Sequence, residues 1–204
     1  MISVKQARVV EWSEIGGREA ALVQRCAQGD EAAFAELVTE NQRMVVQLAL
    51  NLLGDRDEAL DLSQDVFLRV FRTISQFRGQ STLKTWIYRI VVNQARNRHR
   101  FWRRRHRADQ VSLDAHVAAH GDFRCGAETG PDRLLAQKEL ATRLKVALDG
   151  LPFDQRTAIV LREVDGLSYD EIAFSLGVAV GTVKSRLTRA RQTLRLELRE
   201  ERAQ

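Results

Sequence analysis

The residues of this chain best suited to binding chemistry are arginines, and they are clustered. Seven arginines and two histidines lie between Arg96 and Arg107, with Phe101 and Trp102 among them. From Val66 to Ala108 there are 12 Lys or Arg and no Asp or Glu. Guanidinium groups pair with phosphates and aromatic faces stack on unpaired bases, so this composition suits a nucleic acid. The plainer explanation is a solvated helix face with a basic tail. Against it, the run continues directly from an apolar-faced segment with Trp86, Ile87, Ile90 and Val91. A folded support beneath the charge favours binding.

A second basic stretch, Ser168 to Arg191, reads SYDEIAFSLGVAVGTVKSRLTRAR. Ser168 and Glu171 have capping-box spacing, which fixes a helix start. Ile172, Ala173 and Leu176 face inward, and Gly177 supplies a sharp turn. Val178, Val183 and Leu187 then anchor a second helix. This is helix-turn-helix spacing, which lays one helix across the DNA backbone and the next in the major groove. Between Ile172 and Leu196 there are five basic residues and no acidic one. Thr182, Lys184, Ser185, Thr188, Arg189 and Arg191 take the exposed positions, and these types contact phosphates and base edges. Arg186 and Arg191 suit the backbone better than the bases. A structural hairpin with a solvated basic face is the alternative.

A third pattern has the opposite sign. Residues 1–65 carry 12 acidic and 6 basic side chains, although the whole chain has net charge +5. Asp57, Asp61, Gln64, Asp65 and Arg69 fall opposite an apolar stripe of Ala59, Leu62, Val66, Phe67, Val70, Phe71 and Ile74. An acidic face beside a basic middle implies two different partners.

Several classes are excluded. The two cysteines, Cys26 and Cys125, lack any CxxC or His-rich companion, so no disulfide framework or metal site is expected. His116 and His120 fall in an aperiodic segment and carry no role. There is no nucleophile–base pair, ligand set or phosphate-cradling Gly loop, hence no catalytic residue and no cofactor. No apolar run reaches membrane-helix length and no signal-peptide segment opens the chain, which predicts no membrane insertion and a cytoplasmic location.

Helical periodicity accounts for the rest. Helices are expected over 18–28 (Ala21, Leu22 and Cys26 inward), 30–53, 56–74, from 82 into the arginine run, from Pro131 to Gly150 (a stripe including Leu140 and Leu144), from Pro152 through Ile159, and over 168–176 and 180–200. No strand signal survives. The fold class is all-α: two small helical domains, 18–107 and 131–204, after a lead-in 1–17 and joined by a flexible linker 108–130.

The combination resembles the extracytoplasmic-function (ECF) sigma factors of the sigma-70 family. The resemblance covers roughly residues 19 to 200. It rests on Gly29-Asp30 with Ala33-Phe34, DLSQDVFLRVFR (61–72), FRGQSTLKTWIYRIVVNQARN (77–97), LREVDGLSYDEIA (161–173) and VGTVKSRLTRAR (180–191). It implies that 18–107 is a region 2 bundle binding core polymerase and the −10 element, and that 131–204 is a region 4 helix-turn-helix binding the −35 element. By resemblance, the loop Phe77, Arg78, Gly79, Gln80 and Ser81 receives a flipped base, and Asn93, Arg96, Asn97 and Arg98 contact neighbouring nucleotides. Trp86 reads as core support beneath them. Asp61, Gln64, Asp65 and Arg69 would dock on the clamp helices of the largest subunit of core RNA polymerase. Promoter DNA and an anti-sigma factor are the other implied partners. The chain departs from the pattern in its arginine density after Asn97 and in Thr188, which leaves the −35 sequence open. A stand-alone helix-turn-helix regulator would use Ser168–Arg191 but leave the loop and acidic face unexplained.

Overall fold

The computed structural model describes residues 17–108 and 131–200, and there every regular element is helical. Of the candidate linker 108–130, Ala108 belongs to the helix before it, and residues 109–130, with His116, His120 and Cys125, lie outside the described residues, as does most of the lead-in.

Four helices build the first unit: α1 (Gly17–Ala27), α2 (Glu31–Leu53), α3 (Arg56–Thr73) and α4 (Leu83–Ala108). Short polar residues set the starts. Asp30 accepts the Ala33 N–H at 3.0 Å and Asp55 accepts the Glu58 N–H at 2.8 Å, satisfying donors the helices cannot. A single 3₁₀ turn, Ile74–Gln76, ends α3. The core joins Leu37, Val45, Leu48 and Leu52 of α2 to Leu62, Val66 and Val70 of α3 and Ile87, Val91, Val92 and Ala95 of α4. Asp55→Ala should lower stability by about 1 kcal/mol. The check is a urea titration, with a lower midpoint and unchanged slope.

The second unit holds α5 (Pro131–Asp149), α6 (Phe153–Ile159), α7 (Tyr169–Leu176) and α8 (Val180–Glu200). Between α6 and α7 the chain continues as a π-helical segment, Val160–Val164, closed by the Asp165 N–H donating to the Val160 carbonyl at 3.2 Å. Widened turns of this kind shift the following side chains around the axis, here presenting Asp165. The capping box of α7 forms in full: Ser168 Oγ takes the Glu171 N–H, and Glu171 Oε2 takes the Ser168 N–H at 2.8 Å. Gly177 turns the chain at φ 65, a conformation that costs other residues dearly. Val183, Leu187 and Ala190 of α8 are fully packed.

Some expectations need correction. In α1 the inward residues are Leu22, Val23 and Cys26, while Ala21 is exposed. On α3, Phe71 is 51% exposed and sits edge-on against Phe34. Leu140 and Leu144 of α5 are 57% and 41% exposed, because α5 meets its unit mainly through contacts with α8. Periodicity identifies the apolar stripe of a helix but not how wide a neighbour covers it.

The two units pack against each other. Helix α4 lies against α7 and touches α6, and one continuous apolar cluster runs from Leu22 to Ala190.

Candidate nucleic-acid and polymerase interfaces

The loop before α4 is shaped from below. Phe77 is buried, its ring 5.4 Å from that of Trp86. Trp86 is itself half-buried, so it supports the loop as expected. Gly79 takes φ 67 and turns the chain outward, leaving Arg78 and Gln80 exposed. Ser81 Oγ donates to the Thr82 carbonyl at 3.1 Å, keeping its lone pairs as acceptors. Thr82 then caps α4 by accepting the Thr85 N–H at 3.1 Å. The loop thus offers solvent one guanidinium, one amide and one hydroxyl on a fixed base, while Phe77 contributes from inside.

On α4 the four candidate contacts divide. Asn93 and Asn97, one helical turn apart, are exposed. Arg96 is turned toward the second unit, 3.5 Å from Asp154. Arg98 points the other way, donating to Glu58 Oε2 at 2.6 Å and to Asp65 Oδ2 at 2.7 Å. Arg98 therefore pins α4 to α3 through a residue of the acidic face.

That face lies open. Asp61, Gln64, Asp65 and Arg69 are all exposed, and Leu68 and Phe71 beside them are 54% and 51% exposed. The face is therefore half acidic and half apolar. Sequence reasoning missed Leu68. The spacing Gln64, Leu68, Phe71 follows one side of a helix and was available as a signal.

On α8, Lys184, Ser185, Thr188, Arg189 and Arg191 are exposed, and Thr182 is half-buried in the first turn. Ser185 and Thr188 donate back to the carbonyls of Thr182 and Lys184 at 2.9 and 3.0 Å, so both hydroxyls still accept. Arg191 is held by Glu163 Oε1 at 2.6 Å. Arg186 is half-buried, bonded to Asp154 Oδ2 at 2.8 Å.

Electrostatics mark one further place. Burial pushes the Asp165 carboxyl above the usual carboxylate range, although the Tyr88 hydroxyl donates to it at 3.0 Å. Burial also raises the Tyr88 phenol. Among the described residues no His, Cys, Asp or Glu cluster could hold a metal ion, and no helix is long and apolar enough to cross a membrane.

A helix-turn-helix in one unit and a loop-fronted basic helix in the other define a DNA-binding protein of the transcription machinery. Comparison makes the assignment specific. Residues 37–108 match the family model described as Sigma-70 region 2, and residues 141–194 match Sigma-70, region 4. The chain is 36% identical to the RNA polymerase sigma-H factor of Pseudomonas aeruginosa over 173 residues, 85% of this chain and 90% of that one. It is 38% identical to the ECF RNA polymerase sigma-E factor of Escherichia coli K12 over 177 residues, again 85% and 90%. Among solved structures it resembles the sigma factor RpoE in complex with the anti-sigma factor NepR from Bartonella quintana. That match has TM-score 0.65 and 29% identity, and covers 81% of this chain and 96% of that one. CnrH in complex with the cytosolic domain of CnrY is similar at TM-score 0.64 and 26% identity, covering 89% and 97%. The chain belongs to the ECF sigma factors of the sigma-70 family. It is an alternative sigma factor that directs RNA polymerase to promoters.

Proposed function

We propose that the two units divide promoter recognition by the state of the DNA. The α7–α8 helix-turn-helix reads the −35 element as intact duplex. Lys184, Ser185, Thr188 and Arg189 serve bases and nearby phosphates, and Thr182, Arg186 and Arg191 serve the backbone. The loop 77–81 and the face of α4 bearing Asn93, Arg96, Asn97 and Arg98 capture the −10 element as it opens. Unstacking a base costs a few kcal/mol, which a preformed receptor offsets. The observation that supports this division most is the loop itself, whose Gly79 turn presents Gln80 and Ser81 above the buried Phe77 and the half-buried Trp86. The face of Asp61, Gln64, Asp65 and Arg69, extended by Leu68 and Phe71, docks on core polymerase.

No covalent step is needed. The chain positions polymerase and holds a strand, and it works in the cytoplasm, where polymerase is. An anti-sigma factor is a further partner, in keeping with the similar RpoE structure, a complex with the anti-sigma factor NepR.

The division is tested by run-off transcription with core polymerase on genomic fragments, followed by start-site mapping. Lys184→Ala and Arg189→Ala should each weaken holoenzyme binding to the mapped −35 duplex by about 1–3 kcal/mol if the contact is bidentate to a base. A phosphate contact would instead weaken all sequences alike and lower the salt slope. Wild-type binding by both variants would move the reading surface off α8.

A further inference from the structure

We propose that Glu19 of α1 is a positioning residue for base capture, holding the start of α4 so that the loop 77–81 keeps the shape that takes a base. The inference rests on the reading of that loop given above. Glu19 Oε1 accepts the Leu83 N–H at 2.6 Å, a pair 64 residues apart in the chain. Leu83 is the first residue of α4 and follows closely on Ser81. Its N–H is one of the donors that a helix cannot satisfy from within. Thr82 Oγ1 satisfies another, the Thr85 N–H at 3.1 Å. The loop's own residue thus caps part of the turn, and a distant helix caps the rest.

The bond is placed to matter. A carboxylate at a helix N-terminus meets the positive end of the helix dipole, and its hydrogen bonds are charge-assisted. Leu83 is buried and Glu19 half-buried, so water is a poor substitute. Fixing Leu83 sets the register of the first turn, and the same turn carries Trp86, whose ring lies 5.4 Å from that of Phe77. The rim of the loop and the floor beneath it are therefore held from one point.

Helix α1 also bears on the other end of the loop. It lies against the 3₁₀ turn Ile74–Gln76, whose Ile74 carbonyl accepts the Phe77 N–H at 3.0 Å. Leu22 and Val23 seat α1 in the same core as Ile74. One helix thus braces the loop by packing at its entrance and by a hydrogen bond at its exit. A receptor that is correctly shaped only part of the time binds more weakly in proportion. Glu19 keeps that fraction high and acts through the loop, not on the base.

The test uses holoenzyme on the promoter mapped by run-off transcription. Permanganate reactivity of −10 thymines reports open complexes, and filter binding reports closed ones. Glu19→Ala should reduce open complexes about tenfold, the low end for a hydrogen bond to a charged group, and spare closed complexes. Glu19→Gln removes the same charge but keeps an oxygen for Leu83, and should return to within about twofold of wild type. Asp55→Ala removes a cap at the far end of α3 and should leave opening unchanged, which separates positioning from stability. In a chain already carrying Gln80→Ala and Ser81→Ala, Glu19→Ala should add less than about twofold, because both changes act on one receptor. Should Glu19→Ala fail to fold, Glu19→Asp decides the matter. It keeps the charge, draws the carboxylate back by a methylene, and should cost about threefold on the intact loop only. Undiminished opening overturns the proposal. So does a loss shared equally by Glu19→Gln or Asp55→Ala, or one that adds in full on the altered loop. Failure of the underlying reading would appear without Glu19: the Gln80 and Ser81 variant would then lose closed and open complexes alike.

Discussion

Reversing the charge at Asp61 and Asp65 together should cost at least about 100-fold in affinity for core polymerase, since like charges set opposite each other cost several kcal/mol. Both carboxylates are exposed on α3, beside Leu68 and Phe71, and the fold does not depend on Asp61. Asp65 has a second engagement, because Arg98 donates to it at 2.7 Å. The single variant Asp61→Arg is therefore the cleaner probe and should account for most of the loss. Pull-down with core polymerase, alongside circular dichroism to confirm helical content, gives the answer. Undiminished binding by a folded double variant would remove this face from the interface.

Replacing Gln80 and Ser81 by alanine should leave closed complexes nearly unchanged and reduce open complexes about 30-fold on a duplex promoter. The estimate is two lost hydrogen bonds at roughly 1 kcal/mol each. Both side chains stand at the rim of a loop whose fold is held by Gly79, Phe77 and Thr82, so their removal spares its shape. A template already mismatched across the −10 segment lowers the unpairing cost. It should restore part of the activity without restoring base preference. Neutralising Arg96 and Arg98 should weaken both templates and flatten the salt dependence. The fold adds a condition. Arg98 also ties α4 to α3, so its variant needs a stability check before its binding is interpreted. Permanganate reactivity of −10 thymines beside filter binding distinguishes the two effects. Equal loss of closed and open complexes in the loop variant would show that the loop supports the duplex-bound state instead.

The elements were legible because their signals are local. Asp30 and Ser168 cap within three residues of themselves, and Gly177 turns where a left-handed φ is needed. The helix-turn-helix emerged with its inward set intact, since Ile172, Ala173, Leu176, Val183 and Leu187 are all buried. What escaped depends on residues far apart in the chain. Arg98 meets Asp65 across 33 residues and Glu58 across 40, and no spacing rule covers such pairs. Asp154 drew no notice, because an acidic residue in a first helical turn is ordinary. Its pairing with both Arg96 of α4 and Arg186 of α8 appears only in the folded structure. The exposed Leu68 and Phe71 show the same limit from the other side. An apolar residue on a helix can be read from sequence, but whether its cover comes from this chain or another cannot.

Glu171 divides its work between its two oxygens. Oε2 takes the Ser168 N–H at 2.8 Å and the Ser168 hydroxyl at 2.7 Å, fixing the start of α7, while Oε1 receives Thr85 from the other unit at 3.3 Å. The first set of bonds lies within α7 and its cap and does not depend on the contact with α4. The start of α7 is thus fixed by its own residues, so the proposed reading helices have little folding entropy still to lose on DNA. If this unit reads a DNA duplex as proposed, the encounter is a docking of rigid parts, limited by diffusion and charge steering rather than by a folding step.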